Sequence, residues 1–174
     1  MNFTPPSTDQ IPTAWKKEVD KWMTYHVDFG AILMYAQGDV PVSDLEEVVR
    51  IAKDNYIKTV LFDEELCSNF LTPAPGLDTL RQKSPLELLE HHVLHQDKGW
   101  KPTTGNNSGD LDWYPFNYVV VGPSWRSEGV LVVDLASEND DYRIDSCMFK
   151  PEDLGLPLTS MIMGDEYFET LKKA

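Results

Sequence analysis

The hydrophobic pattern of this chain changes period near residue 113, and this change constrains the fold more than any other feature of the sequence. Before it, apolar residues recur at the three-to-four-residue spacing of amphipathic helices. After it, they form short runs rich in β-branched residues, at 116–122, 129–135 and 141–149, whose short connections suit antiparallel neighbours. The sequence therefore predicts the α+β fold class, with N-terminal helices followed by a mostly antiparallel sheet and a C-terminal helix, in a single domain spanning residues 1–174.

Two of the predicted helices begin with a capping box, in which a serine and a glutamate three residues later satisfy free backbone amides. Ser43 with Glu46 begins one of them, and Ser84 with Glu87 begins the other. Another helix is predicted closer to the N-terminus because residues at helical spacing share one face there. These residues are Ile11, Trp15, Val19, Trp22 and His26.

Shorter signals predict the remaining segments. A helix is predicted after Asp63, and a terminal helix is predicted after Asp165, because an aspartate can cap the first turn. Residues 159–163 are predicted to form a last strand. Residues 1–10, which are rich in Pro, Ser, Thr and Asn, are predicted to form a flexible arm.

The charge balance restricts the partners of the chain. It has 15 Lys and Arg against 29 Asp and Glu, which gives a formal net charge of −14. We therefore expect no binding to nucleic acid or to an anionic membrane surface, because both require cationic side chains. The acidity either selects a basic partner or simply keeps the protein soluble, and the sequence leaves both interpretations open.

The sequence gives no indication of membrane insertion or secretion. The longest strongly apolar stretches, AILMYA and YVVVG, are too short to cross a bilayer. The first residues lack a basic region followed by an apolar segment, so we expect no secretory signal. Cys67 and Cys147 are expected to be reduced thiols, and the protein is expected to be cytoplasmic.

The histidines of the stretch LLEHHVLHQDKGW offer a candidate metal site. His91 and His95 have the spacing of the two zinc ligands in H-E-x-x-H metalloproteases, and Glu87 lies one turn earlier. However, His92 stands where the catalytic glutamate would be, and three ligands on consecutive turns of one helix rarely converge on one ion. We favour a structural helix with a polar face and expect no bound metal or other cofactor.

Other catalytic patterns are incomplete. The segment around Ser124 is not G-x-S-x-G, because Arg126 occupies the place of the second glycine, and it connects two strands instead of a strand and a helix. Neither cysteine has a histidine partner nearby in the sequence, and no phosphate-binding loop is present. We therefore expect a protein that is not an enzyme.

The C-terminal part is acidic and carries an aromatic–arginine pair, as protein interfaces do. From Glu128 onward there are 11 acidic and 4 basic residues. Trp125 and Arg126 are predicted to lie at an exposed hairpin tip, although a solvated edge with a tucked tryptophan fits the sequence equally well. The candidate partner-binding residues are Asp110, Asp112, Trp125, Arg126, Glu138, Asp140, Asp141 and Asp145.

Residues 84–174 resemble the SUKH superfamily, which includes bacterial immunity proteins and fungal regulators of cell-wall synthesis. The resemblance depends on a G-x-S near the end of a strand, a following strand with the family pattern G-D-x-L-x-x-D-L, and an F-x-x-L pattern in a closing helix. This chain departs from the second pattern, because Glu128 precedes Gly129 where the family has Asp after the Gly. The matching residues here are Gly122, Ser124, Gly129, Leu131, Asp134, Leu135, Phe168 and Leu171. The resemblance implies a non-enzymatic protein, since bacterial members are typically antidotes that bind and block a cognate toxin in competition between cells.

The leading hypothesis from the sequence is an immunity protein that neutralises a cognate bacterial toxin by direct binding and active-site occlusion. The net charge of −14 suits a basic, nuclease-like toxin, because the carboxylates would steer association and occupy a site that attracts phosphate. Two alternatives remain open. One is a small metal-dependent hydrolase that uses His91 and His95, and the other is a regulatory protein-interaction scaffold.

Overall fold

The central sheet of the fold takes strands from both halves of the chain. The structure is a computed structural model that describes residues 1–25, 31–59, 70–102, 109–138, 141–163 and 168–173. The described strands are β1 (Ala31–Ala36), β2 (Leu71–Pro73), β3 (Lys101–Pro102), β4 (Gly109–Asp110), β5 (Trp113–Val121), β6 (Val130–Glu138) and β7 (Asp141–Phe149). Five of them form one sheet in the order β2-β1-β5-β6-β7, while β3 and β4 form a separate antiparallel ribbon. The protein is therefore a mixed α and β fold.

The predicted order of helices followed by a mostly antiparallel sheet is wrong in two respects. β1 lies near the N-terminus and forms parallel pairs with both β2 and β5. Within the five-stranded sheet that the structure describes, the pairs β5–β6 and β6–β7 are antiparallel, as the short connections in that part of the sequence predicted. The sheet is mixed because helices separate β1 from its two neighbours, and a parallel pair needs such a long crossover connection.

Helices cover both faces of the sheet. The described helices are α1 (Thr13–Met23), α2 (Val42–Thr59), α3 (Leu77–Leu80), α4 (Pro85–Glu90), α5 (Trp125–Glu128), α6 (Gly155–Met163) and α7 (Phe168–Leu171). A π-helical turn, His91–His95, continues α4, and 3-10 turns span Thr8–Gln10 and Pro151–Asp153. The predicted flexibility of residues 1–10 stays a prediction.

Two hydrophobic cores lie on opposite faces of the sheet. In the first core, residues of β1, β5 and β6 pack against α2, α6 and α7. In the second core, the alternate residues of the same strands pack against α1, α4 and the π-helical turn. All six residues of β1 are buried, because the strand contributes to both cores. Such a strand shows a continuous apolar run in place of the two-residue alternation of a half-exposed strand.

The register between β1 and β5 contains an irregularity that matters for the site. Ile32 pairs with Tyr114, but the next residue, Leu33, pairs with Tyr118. Residues 115–117 are therefore extra in β5 and bulge away from β1. Pro115 suits this position, because it has no backbone N–H to donate to a neighbouring strand.

Most of the predicted helices are confirmed. α1 buries Trp15, Val19 and Trp22 along one face, and α2 begins at Val42, one residue before the predicted cap. The strand predicted at 159–163 is wrong, because these residues belong to α6. The helix predicted after Asp63 and the start of the terminal helix at Asp165 lie outside the described residues.

The capping box at the start of α4 is present as predicted and provides a stability test. The Ser84 side chain accepts a hydrogen bond from the Glu87 backbone N–H, and the Ser84 N–H donates to the Glu87 carboxylate at 2.7 Å. We expect Ser84→Ala to lower the free energy of unfolding in urea by about 1 kcal/mol, whereas Ser84→Thr, which keeps the hydroxyl, changes it by a few tenths. An equal loss in both variants would contradict the role of the cap.

Candidate functional site

The structure distributes the predicted partner-binding residues over two ends of the sheet. β5 and β6 are antiparallel, so the start of β5 and the end of β6 lie at the same end. Asp110 and Asp112 lie at or just before the start of β5, while Glu138 and Asp141 form the last pair between β6 and β7. We call this the acidic end of the sheet and define it by these four residues.

Not every predicted residue belongs to that end. Trp125 and Arg126 lie in α5, which joins β5 to β6 at the opposite end of the sheet. β6 has nine residues, so roughly 30 Å separates the two ends. Asp145 lies further along β7, and Asp140 lies outside the described residues. The predicted single patch is therefore divided, with most of its acidic members at one end.

Trp125 is not exposed, so the interpretation as an exposed hairpin-tip residue is wrong and the alternative of a tucked tryptophan is confirmed. The residue is 3 % exposed and packs in the first core, and its indole N–H donates a hydrogen bond to Asp44 at the start of α2. The connection between β5 and β6 forms a helical turn that folds the indole under α2. Burial of the indole there removes a large apolar surface from contact with water, so the buried position is more stable than an exposed position at a loop tip.

Arg126 is exposed but is already paired within the protein. Its guanidinium donates to the Asp44 carboxylate at 2.9 Å and to Glu47 at 2.7 Å, and it stacks 4.3 Å from the centre of the Trp125 ring. The hydrogen bond with Arg126, followed by that from Trp125, lowers the pKa of Asp44. Arg126 is thus a fixed cation on an otherwise acidic surface.

The stretch with three histidines is organised around His92, which is fully buried. A carbonyl can only accept, so the Nε2–H of His92 donates to the Pro115 carbonyl at 2.8 Å. The Nδ1 atom must then be unprotonated, and it accepts a hydrogen bond from the Tyr35 hydroxyl at 2.9 Å. Burial, followed by the nearby charge of Lys98, holds the pKa of His92 well below its ordinary value. His92 therefore connects α4 to β1 and to the bulge of β5.

Lys98 completes this buried network. Its ammonium group donates to the carbonyls of His92 and Gln96, at 2.5 and 3.1 Å, and lies 4.6 Å from the centre of the Trp22 ring. These two carbonyls follow the end of the helical hydrogen bonds and would otherwise lack a donor. Burial lowers the pKa of Lys98 to about 8. The network has a structural role, because each polar group in it is used to join chain segments.

The two histidines proposed as metal ligands lie close together without a third ligand. The ring centres of His91 and His95 are 6.1 Å apart, and Nε2 of His91 is 3.1 Å from the Gln96 side-chain oxygen. Within the described ranges, no group of three His, Cys, Asp or Glu side chains could hold a metal ion. His26 and Cys67 lie outside those ranges. The described residues therefore lend no support to the metal-dependent hydrolase.

A row of polar side chains crosses three strands close to the acidic end. Asn117 pairs with Asp134 across β5 and β6, and Asp134 pairs with Asp145 across β6 and β7. All three point to the face of the first core, because a residue two positions away on each strand packs there, namely Val119, Val132 and Cys147. Asn117 donates from Nδ2 to the Asp134 carboxylate at 2.8 Å. The register thus places a polar row at the edge of an apolar face.

A cavity of about 440 Å³ opens beside this row. Asn117 and Asp134 lie at its polar part, and its apolar lining includes Tyr114, Met161 and Phe168. Burial raises the pKa of Asp134 to about 6, although the hydrogen bond from Asn117 acts in the opposite direction. A buried carboxyl with a raised pKa in a cavity of this size is typical of binding and catalytic sites.

The charged residues around Asp134 are paired with one another. Lys172, just after α7, donates to Asp145 at 2.5 Å, and Arg143 of β7 donates to Glu169 of α7 at 3.4 Å. Burial favours a raised pKa for Asp145, but the hydrogen bonds from Lys172 and from the Ser146 N–H outweigh it, so the pKa is lowered. In the described part of the chain, no cation lies within ion-pair distance of Asp134 itself.

The prediction from sequence missed this site, although the sequence contained a signal for it. Asn117 interrupts a run of aromatic and β-branched residues, and Asp134 interrupts the run VLVVDL. Each was treated as part of a core strand, and Asp134 entered only through the resemblance to a family. A polar residue within an otherwise buried strand must find a partner, which makes it a candidate site residue. Their proximity depends on the strand register, which the sequence does not reveal.

Comparison with known proteins found no matching family model, and no curated protein or solved structure matches the chain either. In the ranges that the structure describes, no helix has both the length and the apolar composition needed to cross a membrane. The functional interpretation therefore depends on the chemistry and placement of the residues themselves.

Proposed function

We propose that the protein is a non-enzymatic immunity protein that neutralises a cognate bacterial toxin by binding it and occluding its active site. The observation that carries this proposal is the excess of acidic over basic residues in the sequence, 29 against 15. Among the described residues, every carboxylate except Asp134 lies outside the buried class. The resemblance of residues 84–174 to the SUKH superfamily adds the functional class. We place this activity in the cytoplasm, where a toxin delivered by a competing cell would act.

The charge excess at the surface depends on which charged side chains are buried. Among the described residues, the buried charged side chains are one acid, Asp134, and one base, Lys98, so their burial does not change the balance of charges at the surface. Each ion pair likewise combines one acid with one base. The excess of acidic over basic side chains in the described part of the chain is therefore at least partly exposed to solvent. Such a surface attracts a basic protein from a distance and accelerates the encounter, while it repels nucleic acid.

The acidic end is the part of this surface that we assign to the toxin. Asp112 and Asp141 are exposed there, and Asp110 and Glu138 lie beside them in the backbone. A nuclease-like toxin needs cations in its active site to hold phosphate. Carboxylates at one end of a rigid sheet could occupy that site in place of the phosphates. The involvement of Asp140, Asp145 and Arg126 is part of the same proposal, whereas the buried Trp125 would act by supporting Arg126.

Co-expression with the toxic product of a neighbouring gene tests the proposal. We expect cell survival and a complex that co-purifies. In binding kinetics at low salt, Asp112→Lys with Asp141→Lys should slow association by at least about tenfold. The matched control is Asp54→Lys with Asp78→Lys, which changes the net charge equally at exposed positions of α2 and α3. We expect this control to slow association by no more than about threefold.

Three outcomes would contradict the proposal. A folded protein that neither rescues the cells nor binds the toxin excludes the antidote function. Equal slowing by the two double variants excludes the acidic end as the contact and leaves only a general charge effect. A complex that forms without rescue contradicts toxin neutralisation and favours the regulatory interaction scaffold.

A further inference from the structure

The cavity beside the acidic end contains hydrogen-bond acceptors that the described protein leaves unused. Asn117 is 1 % exposed, and its Nδ2 atom is committed to Asp134. Its side-chain oxygen, Oδ1, is buried and has no hydrogen-bond partner among the described residues. A buried acceptor without a donor costs about 1–3 kcal/mol, so such atoms are uncommon in folded proteins. Asn117 lines the cavity, so a small rotation of its side chain would turn this covered atom toward a ligand bound there.

The charges around the cavity leave one carboxylate without a counter-ion. Lys172 is paired with Asp145, and Arg143 is paired with Glu169. Arg143 also lines the cavity, and its charge and that of Lys172 favour the ionised form of Asp134. Both cations form their ion pairs with other carboxylates, so the net charge left by these five groups is that of Asp134, which is 9 % exposed. A carboxylate removed from water without a cation is unfavourable. A ligand that brought a positive charge would correct this imbalance and would also supply donors.

The remaining walls of the cavity suit a flat cation on an apolar stem. Three aromatic residues, Tyr114, Phe116 and Phe168, line it, together with Met161 and Leu135. Guanidinium groups stack on aromatic faces and present several N–H donors in one plane, whereas an ammonium group is a compact, strongly hydrated charge. The cavity volume of about 440 Å³ is within the range of small-ligand sites.

We infer that this cavity binds a guanidinium group on an alkyl stem, with its N–H groups donating to Asp134 and to Oδ1 of Asn117. The stem would lie against the aromatic and methionine wall. The cavity adjoins the acidic end, since Ala136 and Ser137 of its lining precede Glu138 at the end of β6. An arginine side chain of the toxin is therefore the carrier we favour, and this identification rests on the proposed function.

An NMR titration tests the chemistry of the cavity without any partner protein. The probe is N-acetyl-arginine methylamide, and the matched control probe is N-acetyl-citrulline methylamide, which replaces the guanidinium by an uncharged urea of similar shape. We expect saturable shifts of the Asn117 side-chain amide signals with the arginine probe. Binding of the citrulline probe should be weaker by at least about tenfold, which corresponds to about 1.4 kcal/mol.

Three variants locate the binding. Asp134→Asn should weaken binding of the arginine probe by at least about tenfold, whereas Asp78→Asn, an equal charge change at an exposed position of α3 outside the cavity and the acidic end, should alter it by less than about twofold. Ala136→Leu narrows the cavity without changing a charge and should also weaken binding. Equal affinity for the two probes, or unchanged affinity in folded Asp134→Asn and Ala136→Leu proteins, would overturn the inference.

Two further measurements identify the carrier. Agmatine bears the same guanidinium group without a peptide backbone. Tighter binding of agmatine than of the arginine probe assigns the cavity to a free small molecule. Tighter binding of the arginine probe assigns it to a protein side chain. If Asp134→Asn leaves toxin binding unchanged, the toxin's arginine is excluded as the carrier. If no toxin binds at all, the proposed function fails, and the titration still decides whether the cavity is a guanidinium site.

Discussion

Replacing His92 with alanine should lower the free energy of unfolding by about 4 kcal/mol, a large part of the stability of an ordinary domain. The ring is fully buried, and its removal leaves a cavity between α4 and the sheet. It also leaves the Pro115 carbonyl and the Tyr35 hydroxyl without their partners. Each orphaned buried group adds about 1–3 kcal/mol to the cost of the lost packing. Urea denaturation followed by circular dichroism measures the change.

His95→Ala is the matched control, because His95 is exposed on the same π-helical turn. We expect it to change the free energy of unfolding by less than about 0.5 kcal/mol. Similar losses in the two variants would contradict the central role of His92. The same pair of proteins tests the metal-site alternative, since zinc that raised the melting temperature of the wild type but not of His95→Ala would support a metal role for these histidines.

The parts of the fold that could be predicted from sequence are those fixed by local chemistry. Ser84, Pro85 and Glu87 determine the start of α4 through hydrogen bonds within four residues, and the structure contains them. β6 and β7 could be predicted because β-branched residues and a short connection favour an antiparallel pair. The faces of α1 followed from the helical spacing of its tryptophans.

The parts that could not be predicted depend on contacts between distant segments. β1 has no alternation, because both of its faces are buried, and its apolar run suits a buried helix as well as a strand. Residues 159–163 were predicted to be a strand, yet they form the end of α6, where Leu158 and Met161 at helical spacing face the first core. In both cases the tertiary environment, which a short window does not contain, decides between the two structures.

Only the acidic character of the candidate site could be predicted from the sequence. Of the eight residues predicted to bind a partner, the strand order brings four, at 110, 112, 138 and 141, to one end of the sheet. Trp125 was placed wrongly, since its burial depends on Asp44, which is 81 residues away in the chain. The pair of Asn117 and Asp134 was missed for the same reason, because only the register between β5 and β6 makes these residues neighbours.

Replacing Asp134 with asparagine should raise the free energy of unfolding at pH 7 by up to about 3 kcal/mol. Burial raises the pKa of this carboxyl from 3.8 to about 6, and each unit of pKa shift corresponds to about 1.4 kcal/mol. Between these values the native protein holds a proton that the unfolded chain has released, so wild-type stability falls as pH rises from about 4 to 6. The neighbouring charges that face Asp134 are Arg143, Asp145 and Lys172, and none of them changes in the variant.

The expected gain therefore depends on pH in a defined way. At pH 3.5, below both pKa values, the carboxyl is protonated in the native protein and largely protonated in the unfolded chain. The wild type and Asp134→Asn should therefore differ by less than about 1 kcal/mol there, and the difference should reach its full size at pH 7. The new amide can also donate to Oδ1 of Asn117, the buried acceptor that lacks a partner in the described chain. Asp112→Asn, at an exposed carboxylate, should change stability by less than about 0.5 kcal/mol at either pH.

A gain in stability that was the same at pH 3.5 and pH 7 would contradict the unpaired charge as its cause. A loss at pH 7 would mean that the carboxylate stabilises the fold. That result would also contradict the cationic ligand, because such a ligand is expected only if the protein alone leaves the charge of Asp134 uncompensated.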